Sequence, residues 1–253
     1  STVEALSHLP YDASAAEWTV MVAHHLLSKL TVSSTYLLDS ESTEEPWKKD
    51  RTCPCGCNKK INGAFGDTSL GVPSHWHGRV DILTDVAVKI IVPEEPESDD
   101  AGNRSTKIKM GAYRDEIRAG AIVYSFLMRK KHPELDNFLI PTVVMSKTHI
   151  AVVFYDCEND ILLETPLLSL FQQGNDVILS KSTILILWLA LNFKYCCSGV
   201  PDGIIDTGYK ANFFKHTGSV LESYREDVIA PCDYVATFDW FVLPVFETLP
   251  LKK

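Results

Sequence analysis

The segment 74–92, SHWHGRVDILTDVAVKIIV, limits what this chain can become more than any other stretch. Two runs rich in β-branched residues, 79–83 and 86–92, flank the turn-forming pair Thr84-Asp85, a pattern that predicts a β-hairpin. Asp81 and Lys89 are the acid and the lysine at the strand centres. Side chains alternate faces along a strand, so the length of the turn decides how these two charges stand to each other. A three-residue turn pairs Leu83 with Ala87 and Asp81 with Lys89, putting both charges on one face. A two-residue turn sends them to opposite faces. A carboxylate and an ammonium within a buried sheet are costly unless paired or metal-bound, which makes the hairpin a candidate site. On a solvated edge hairpin the same residues would form an ordinary surface ion pair.

The chain around this hairpin has 253 residues, 45% of them hydrophobic, enough to build a core without staples. A single domain over 1–253 is expected. The 33 acidic against 24 basic residues leave a net charge of −9, which opposes non-specific attraction to nucleic acid or to an anionic membrane. Nucleic acid is therefore a partner not favoured by charge, while a protein partner remains open. The longest fully apolar run, Ile184 to Leu191, falls well short of the roughly 20 residues needed to span a bilayer. Seven cysteines, including the tight Cys53-Pro54-Cys55-Gly56-Cys57 and the adjacent Cys196-Cys197, do not resemble a secreted disulfide framework. With no basic and apolar leader at the start, this predicts an intracellular protein, cytoplasmic or nuclear.

The CPCGC segment is the second candidate site. Alternate cysteines cannot lie on one face of a helix, but a loop containing Pro54 and Gly56 can turn all three sulfurs towards one soft ion. His75 and His77 are the nearest imidazoles in sequence, and either would complete a tetrahedral Zn2+ site with Cys53, Cys55 and Cys57. The spacing differs from paired C-x2-C knuckles, and the competing reading is of free thiols. His24 and His25 are adjacent and diverge by about 100° on a helix, so they do not chelate one ion as an i, i+4 pair would; one is expected to be solvated and the other packed.

The remaining elements follow from periodicity. Asp12 or Ser14 caps a helix to about Leu30, with Glu17 in its first turn. A strand is expected over 31–38. An acidic, Pro-containing loop follows the hairpin over 93–106, and a helix spans 108–131, where mid-helix Gly120 suggests close approach of another backbone. Residues 138–146, 149–156 and 161–164 read as an antiparallel meander. Ser180 or Ser182 caps a third helix to about Cys197, apolar nearly all round and so expected to be buried. A short helix ending near 229 and strands at 234–238 and 241–246 complete an α/β (α+β) fold: a central mixed β-sheet flanked by about three helices, with the C-terminal helix and strands of 177–247 packed on the core. No G-x-S-x-G elbow, phosphate loop or calcium loop is present. The aromatic residues of the last strands are expected to be core.

The order of helix, hairpin with an Asp and a Lys, helix and further strands, over residues 13–156, resembles the core of the PD-(D/E)XK nuclease-like superfamily, the restriction-endonuclease-like fold. In that superfamily an acid on the first hairpin strand and an acid-x-lysine triplet on the next hold Mg2+, while the lysine orients or activates the attacking water. The chemistry suits the residue types: hard carboxylate oxygens bind Mg2+ or Mn2+, and an ammonium lowers the cost of forming hydroxide. The resemblance implies Asp81 as the first acid and a Mg2+ or Mn2+ ligand, Lys89 as the lysine, and Glu17 as the glutamate found on the helix of some members. The chain departs from the pattern in three ways. Ala87 stands where the triplet's acid should be, Gly120 lies near a helical glutamine of several members, and the spacing from Asp81 to Lys89 is short. Glu94 or Glu95 could supply a migrated carboxylate. The expectation is a weakened metal-dependent phosphodiesterase of nucleic acid or a catalytically inactive relative. The alternative is a non-catalytic binding or scaffold protein with a Cys/His loop stabilised by zinc.

Overall fold

The computed structural model describes residues 13–33, 35–43, 49–91, 113–172 and 178–231. Glu94 and Glu95, the loop 93–106 and the expected strands at 234–238 and 241–246, with their aromatic residues, lie outside the described residues.

Ser14 opens the first helix with a capping box: its hydroxyl accepts from the Glu17 amide, and the Glu17 carboxylate accepts from the Ser14 amide at 2.7 Å. Helix α1 (Ala15–Val22) buries Trp18, Val20, Met21 and Val22. It runs on through one π-helical turn (Ala23–Leu27) into a last α-helical turn (Ser28–Leu30). The expected strand at 31–38 is shorter and later, β1 (Leu37–Asp39), because Thr31 and Ser33 are taken up in a local turn closed by the Thr31 hydroxyl. Strands β2 (Ala64–Gly66), β3 (Ser69–Val72), β4 (Trp76–Arg79), β5 (Ile82–Leu83) and β6 (Ala87–Ile90) precede helix α2 (Arg114–Lys131). Strands β7 (Leu139–Met145), β8 (His149–Asp156), β9 (Ile161–Glu164) and β10 (Leu168–Ser169) come after it.

Eight of these strands form the central mixed sheet, in the order β10-β8-β7-β6-β5-β1-β2, with β9 also on β8. β6 and β7 are parallel, as are β1 and β2; the other neighbours are antiparallel. The parallel β6–β7 pair needs a crossover, which α2 supplies. β3 and β4 form a separate hairpin. The β5–β6 turn takes three residues, pairing Leu83 with Ala87 and Ile82 with Val88, so Asp81 and Lys89 share a face. The meander of β7, β8 and β9 lies where periodicity placed it.

α2 carries Asp115 and Glu116 in its first turn and Arg129, Lys130 and Lys131 in its last, each end matched to the helix dipole. Its Ile117 and Ala121 pack with Val144 and Val153, on the sheet face that carries Lys89. Gly120 does not admit another backbone: a Cβ at that position would meet the indole of Trp76 first, at 3.9 Å. At that distance an added Cβ would make an ordinary van der Waals contact with the ring, so the packing does not require glycine there.

Helix α3 (Lys181–Leu191), capped by Ser180, packs on β7 and β8 and buries Leu187, Ala190 and Leu191. The burial expected on every side is not found, since Leu185, Trp188 and Leu189 are 57%, 42% and 41% exposed. One face of a helix suffices to cover the sheet, and no described residue covers the other. Among the described residues four short α-helices follow, α4 (Phe193–Cys196), α5 (Asp202–Ile205), α6 (Phe213–Thr217) and α7 (Leu221–Glu226), the last entered through a 3-10 turn (Gly218–Val220). Lys194 of α4 reaches back to Asp85 in the β5–β6 turn, 2.8 Å away, and both side chains are nearly inaccessible, at 6% and 0%. Burial pushes the Asp85 carboxyl up, and the Lys194 ammonium opposes it. Among the described residues no helix is long and apolar enough to cross a membrane.

Candidate metal centre

The loop that carries the cysteines is closed by its own backbone. Cys53 donates its amide to Lys59, Ile61 donates to Arg51, and Thr52 bridges Lys60. The tip turns back at Gly56, whose φ of +79° is in the region where glycine carries no steric penalty, and again at Asn58 with φ of 55°. Cys53 is buried against Ala13, just before the first helix, and Met21 within it, with Cys55 and Cys57 beside it, so the loop lies on the helix that carries His25.

His25 Nε2 stands 3.1 Å from Cys55 Sγ, 3.3 Å from Cys53 Sγ and 3.7 Å from Cys57 Sγ. Cys53 and Cys55 sulfurs are 3.3 Å apart, and the four ligand atoms all lie within 4.8 Å of one another. Zinc–sulfur bonds of about 2.3 Å and a zinc–nitrogen bond of about 2.0 Å would give a tetrahedron with edges of roughly 3.5–3.8 Å. His25, Cys53, Cys55 and Cys57 are thus close enough to hold one metal ion.

The electrostatics suit a soft cation. Burial, with His24, Lys59 and Lys29 nearby, lowers the His25 pKa to about 4, so its imidazole is neutral at pH 7 with a lone pair to offer. Burial raises the Cys53 and Cys55 thiols, whereas at Cys57 the Lys59 amide and the neighbouring thiols outweigh burial and draw its pKa below the usual value. A cation among the sulfurs would reverse the cost of forming thiolates there.

His75 and His77 do not complete this set. His75 stacks on Tyr224 at 5.9 Å, and exposed His77 lies on β4 beside a groove that Ile229 and Pro231 help to line. The imidazole comes from His25, 28 residues before Cys53 in the chain. Nor is one of the adjacent histidines solvated: both are buried, His24 edge-on to His25 with ring centres 4.7 Å apart and its Nδ1 3.5 Å from the Tyr36 hydroxyl. The π-helical turn at Ala23–Leu27 contains both residues and alters their angular spacing from that of an α-helix. Such turns are frequent at functional sites.

The hairpin site takes a different form. Asp39 donates its amide to the Asp81 carbonyl and Asp81 donates to Val88, so Asp39, Asp81 and Lys89 stand side by side on neighbouring strands. Lys89 Nζ lies 3.8 Å from the Asp81 carboxylate and 3.5 Å from Glu116 of α2, and it donates to the Arg79 carbonyl. Asp81 Oδ2 also accepts from the Ile90 amide at 2.7 Å. Burial raises the Asp81 pKa, Lys89 and the Ile90 amide oppose this, and Asp39 and Glu116 add to the rise. The Asp39 side chain is buried and meets the Arg79 guanidinium at 3.5 Å; Arg79 also pairs with Glu41 and, at 3.8 Å, with Asp67. Ala87 offers no side-chain oxygen.

The structure does not bring Glu17 to this row. It is spent in the capping box of α1, while the charges that bear on Asp81 are Lys89, Asp39 and Glu116. Asp39 and Glu116 went unseen in the sequence because neither sits in a patterned spacing with Asp81; Asp39 ends a strand whose partner lies some 40 residues later. Comparison with family models, with curated proteins and with solved structures finds no match, so both sites are read from their own geometry.

Proposed function

We propose that this chain is a zinc-stabilised protein with a nuclease-like core that acts by binding, not by hydrolysis. The observation that carries the first part is the convergence of one imidazole and three thiols from a helix and a loop that share no other patterned link. Three sulfurs and a nitrogen favour Zn2+ over Mg2+ or Ca2+, and four protein ligands leave no open position for a substrate, which makes the ion structural. Support for the nuclease-like core is the sequence order retained in space: helix, hairpin with Asp81 and Lys89 on one face, helix, parallel strand. Ala87 in place of the triplet's acid and a net charge of −9 support binding without hydrolysis. The zinc reading predicts about one zinc per chain by elemental analysis of the purified protein, with the metal lost from His25→Ala and retained in His75→Ala. A wild type that purifies free of zinc, and takes up none when it is added, would sink it.

One observation favours a second reading, a weakened phosphodiesterase of nucleic acid dependent on Mg2+ or Mn2+. Asp39 sets a second carboxylate beside Asp81, with Glu116 across Lys89, so oxygen ligands are present although the triplet's acid is not. Asp81 and Asp39 would hold the cation, which would supply charge stabilisation to the phosphate, and Lys89 would stand by the attacking water. The first reading expects no metal-dependent cleavage of labelled single- or double-stranded DNA or RNA by the wild type. Cleavage that disappears in both Asp81→Asn and Lys89→Ala, each shown to be folded, would replace it with the second.

A further inference from the structure

The chain is acidic overall, with a net charge of −9, but its cations are unevenly spread. Lys49, Arg51, Lys59 and Lys60 fall within residues 49–60 against the single acid Asp50, and all four are exposed. The closed loop brings its two arms together. Thr52 bridges Lys60, and the Lys60 ammonium reaches across to the Asp50 carbonyl at 2.6 Å and the Thr52 hydroxyl at 3.3 Å. Lys29, exposed in the last turn of the first helix, adds a cation from a separate element: it and Lys59 both bear on His24 and His25. The positive face is thus assembled where the loop meets the helix.

Two observations set this face apart from solvated lysines scattered on a surface. The first is that no carboxylate among the described residues pairs with any of these five cations. Arg79, Arg114, Arg118, Arg129 and Arg225 each meet an acid, whereas the Arg51 guanidinium donates to the Gly63 carbonyl instead. The second is that the charge exceeds what a metal centre needs. Zinc with three thiolates and a neutral imidazole carries one net negative charge, which a single cation offsets. The surplus faces solvent, on a chain that repels anions elsewhere, and that asymmetry orients an anionic partner onto the loop.

We propose that the rim of the cysteine loop, formed by Lys29, Lys49, Arg51, Lys59 and Lys60, is the face by which this protein binds the phosphate backbone of a double-stranded nucleic acid. The proposal rests on the reading of the chain as one that acts by binding, and it names the partner class. Between residues 49 and 61 no large apolar side chain is exposed to enter a bilayer, and no aromatic residue is present to stack on an unpaired base. What remains is contact of ammonium and guanidinium groups with phosphate, which responds to charge and spacing and not to base sequence. Cations spread over two arms and a helix end suit a line of phosphates better than one isolated anion.

The experiment follows the fluorescence anisotropy of a labelled duplex of about 20 base pairs, titrated with the full zinc-loaded chain at about 50 to 200 mM salt without Mg2+. Wild type is set beside Lys29→Glu with Lys59→Glu, Lys49→Glu, and Lys215→Glu, which reverses an exposed charge outside the rim. The side chains of Lys29, Lys49 and Lys59 hold no described residue, so their reversal leaves the loop closed, and zinc content checks this. For the wild type, log Kobs should fall against log salt with a slope of about −3 to −4, the mark of about four neutralised phosphates. The double reversal should weaken binding about tenfold or more and flatten the slope by about two, Lys49→Glu should flatten it by about one, and Lys215→Glu should change neither. A zinc-loaded wild type that does not bind the duplex at the lowest salt would overturn the face and leave the zinc reading standing. Binding indifferent to the rim reversals would overturn it as well. Rim-dependent binding by a protein that carries no zinc would support the face and count against the zinc reading alone. Phosphatidylserine vesicles or polyglutamate that displace the labelled duplex more strongly than unlabelled duplex does, at equal anionic charge, would overturn nucleic acid as the partner.

Discussion

Cys53→Ser is expected to abolish metal binding and to lower the melting temperature by about 8–16 °C in the presence of zinc. The figure follows from linkage: an ion that binds only the folded state, at a free concentration about a thousandfold above its Kd, contributes about 4 kcal/mol, and each kcal/mol moves the transition of a chain this size by about 2–4 °C. Cys53 is the ligand to change because it is the buried one of the three cysteines, joining Met21 of the first helix to the loop. The serine hydroxyl would be a poor ligand and would lie against apolar neighbours. The loop would then be closed by the backbone bonds of Cys53 and Ile61 and by the Lys60 ammonium on Asp50 and Thr52, without the metal, and the segment at 51–61 should lose protection from hydrogen exchange first. Differential scanning calorimetry with and without a chelator checks the size of the effect. A wild-type melting temperature indifferent to the chelator would show that the four groups hold no ion that matters to folding. The difference between loaded and stripped protein should also shrink in acid, since thiols and imidazole that take up protons can no longer bind the metal.

Lys194→Ala is expected to cost about 3–5 kcal/mol at pH 7, because it leaves the Asp85 carboxylate buried without its counter-ion. Asp85 is fully inaccessible in the turn that sets the β5–β6 register, so the loss falls on the element that places Asp81 and Lys89 together. Its pH dependence has a definite sign. Burial already raises the Asp85 carboxyl in the wild type, and removing the ammonium that opposes burial raises it further. A carboxyl whose folded pKa lies above its unfolded value holds its proton more tightly when folded. Stability is therefore lost as pH rises from the ordinary carboxyl value, about 3.9, through the folded one. The penalty of Lys194→Ala should be small near pH 4 and reach its full size once the pH exceeds the folded pKa. Asp85→Asn with Lys194→Met should cost much less than the sum of the single changes, since it removes both charges and keeps most of the volume. Additive costs in urea denaturation would mean that the two groups are not energetically paired.

The two sites differ in how much of each could be read from the chain, and the difference is one of sequence distance. Asp81 and Lys89 are joined by one short turn, so β-propensity and period-two alternation reduced their relation to two outcomes. The fold chose the three-residue turn, in which Thr84 caps the bend by bonding Val86 and Asp85 is anchored to Lys194. The cysteines were legible as a soft-metal cluster because Pro54 and Gly56 let one loop turn three sulfurs inward. Their fourth partner was not, since it comes from a helix 28 residues away, and proximity in sequence favoured His75 and His77 instead. A period of 3.6 is assumed when helical residues are assigned to faces, and the π-helical turn at His24 and His25 breaks that assumption locally.

By itself, the sequence determined the elements whose signal is local: the capped first helix, the Asp/Lys hairpin, the long helix with its dipole-matched ends, the three-strand meander and the chemical character of the cysteine loop. Caps, turns and alternation act over a few residues and are written where they operate. Only the tertiary structure decided which imidazole joins the thiols, that Asp39 stands beside Asp81 and Glu116 beside Lys89, that Trp76 occupies the space above Gly120, and that one side of α3 stays open. Those outcomes depend on strand order and helix packing, and the free energy that selects them comes from burying a core shared by residues far apart in the chain.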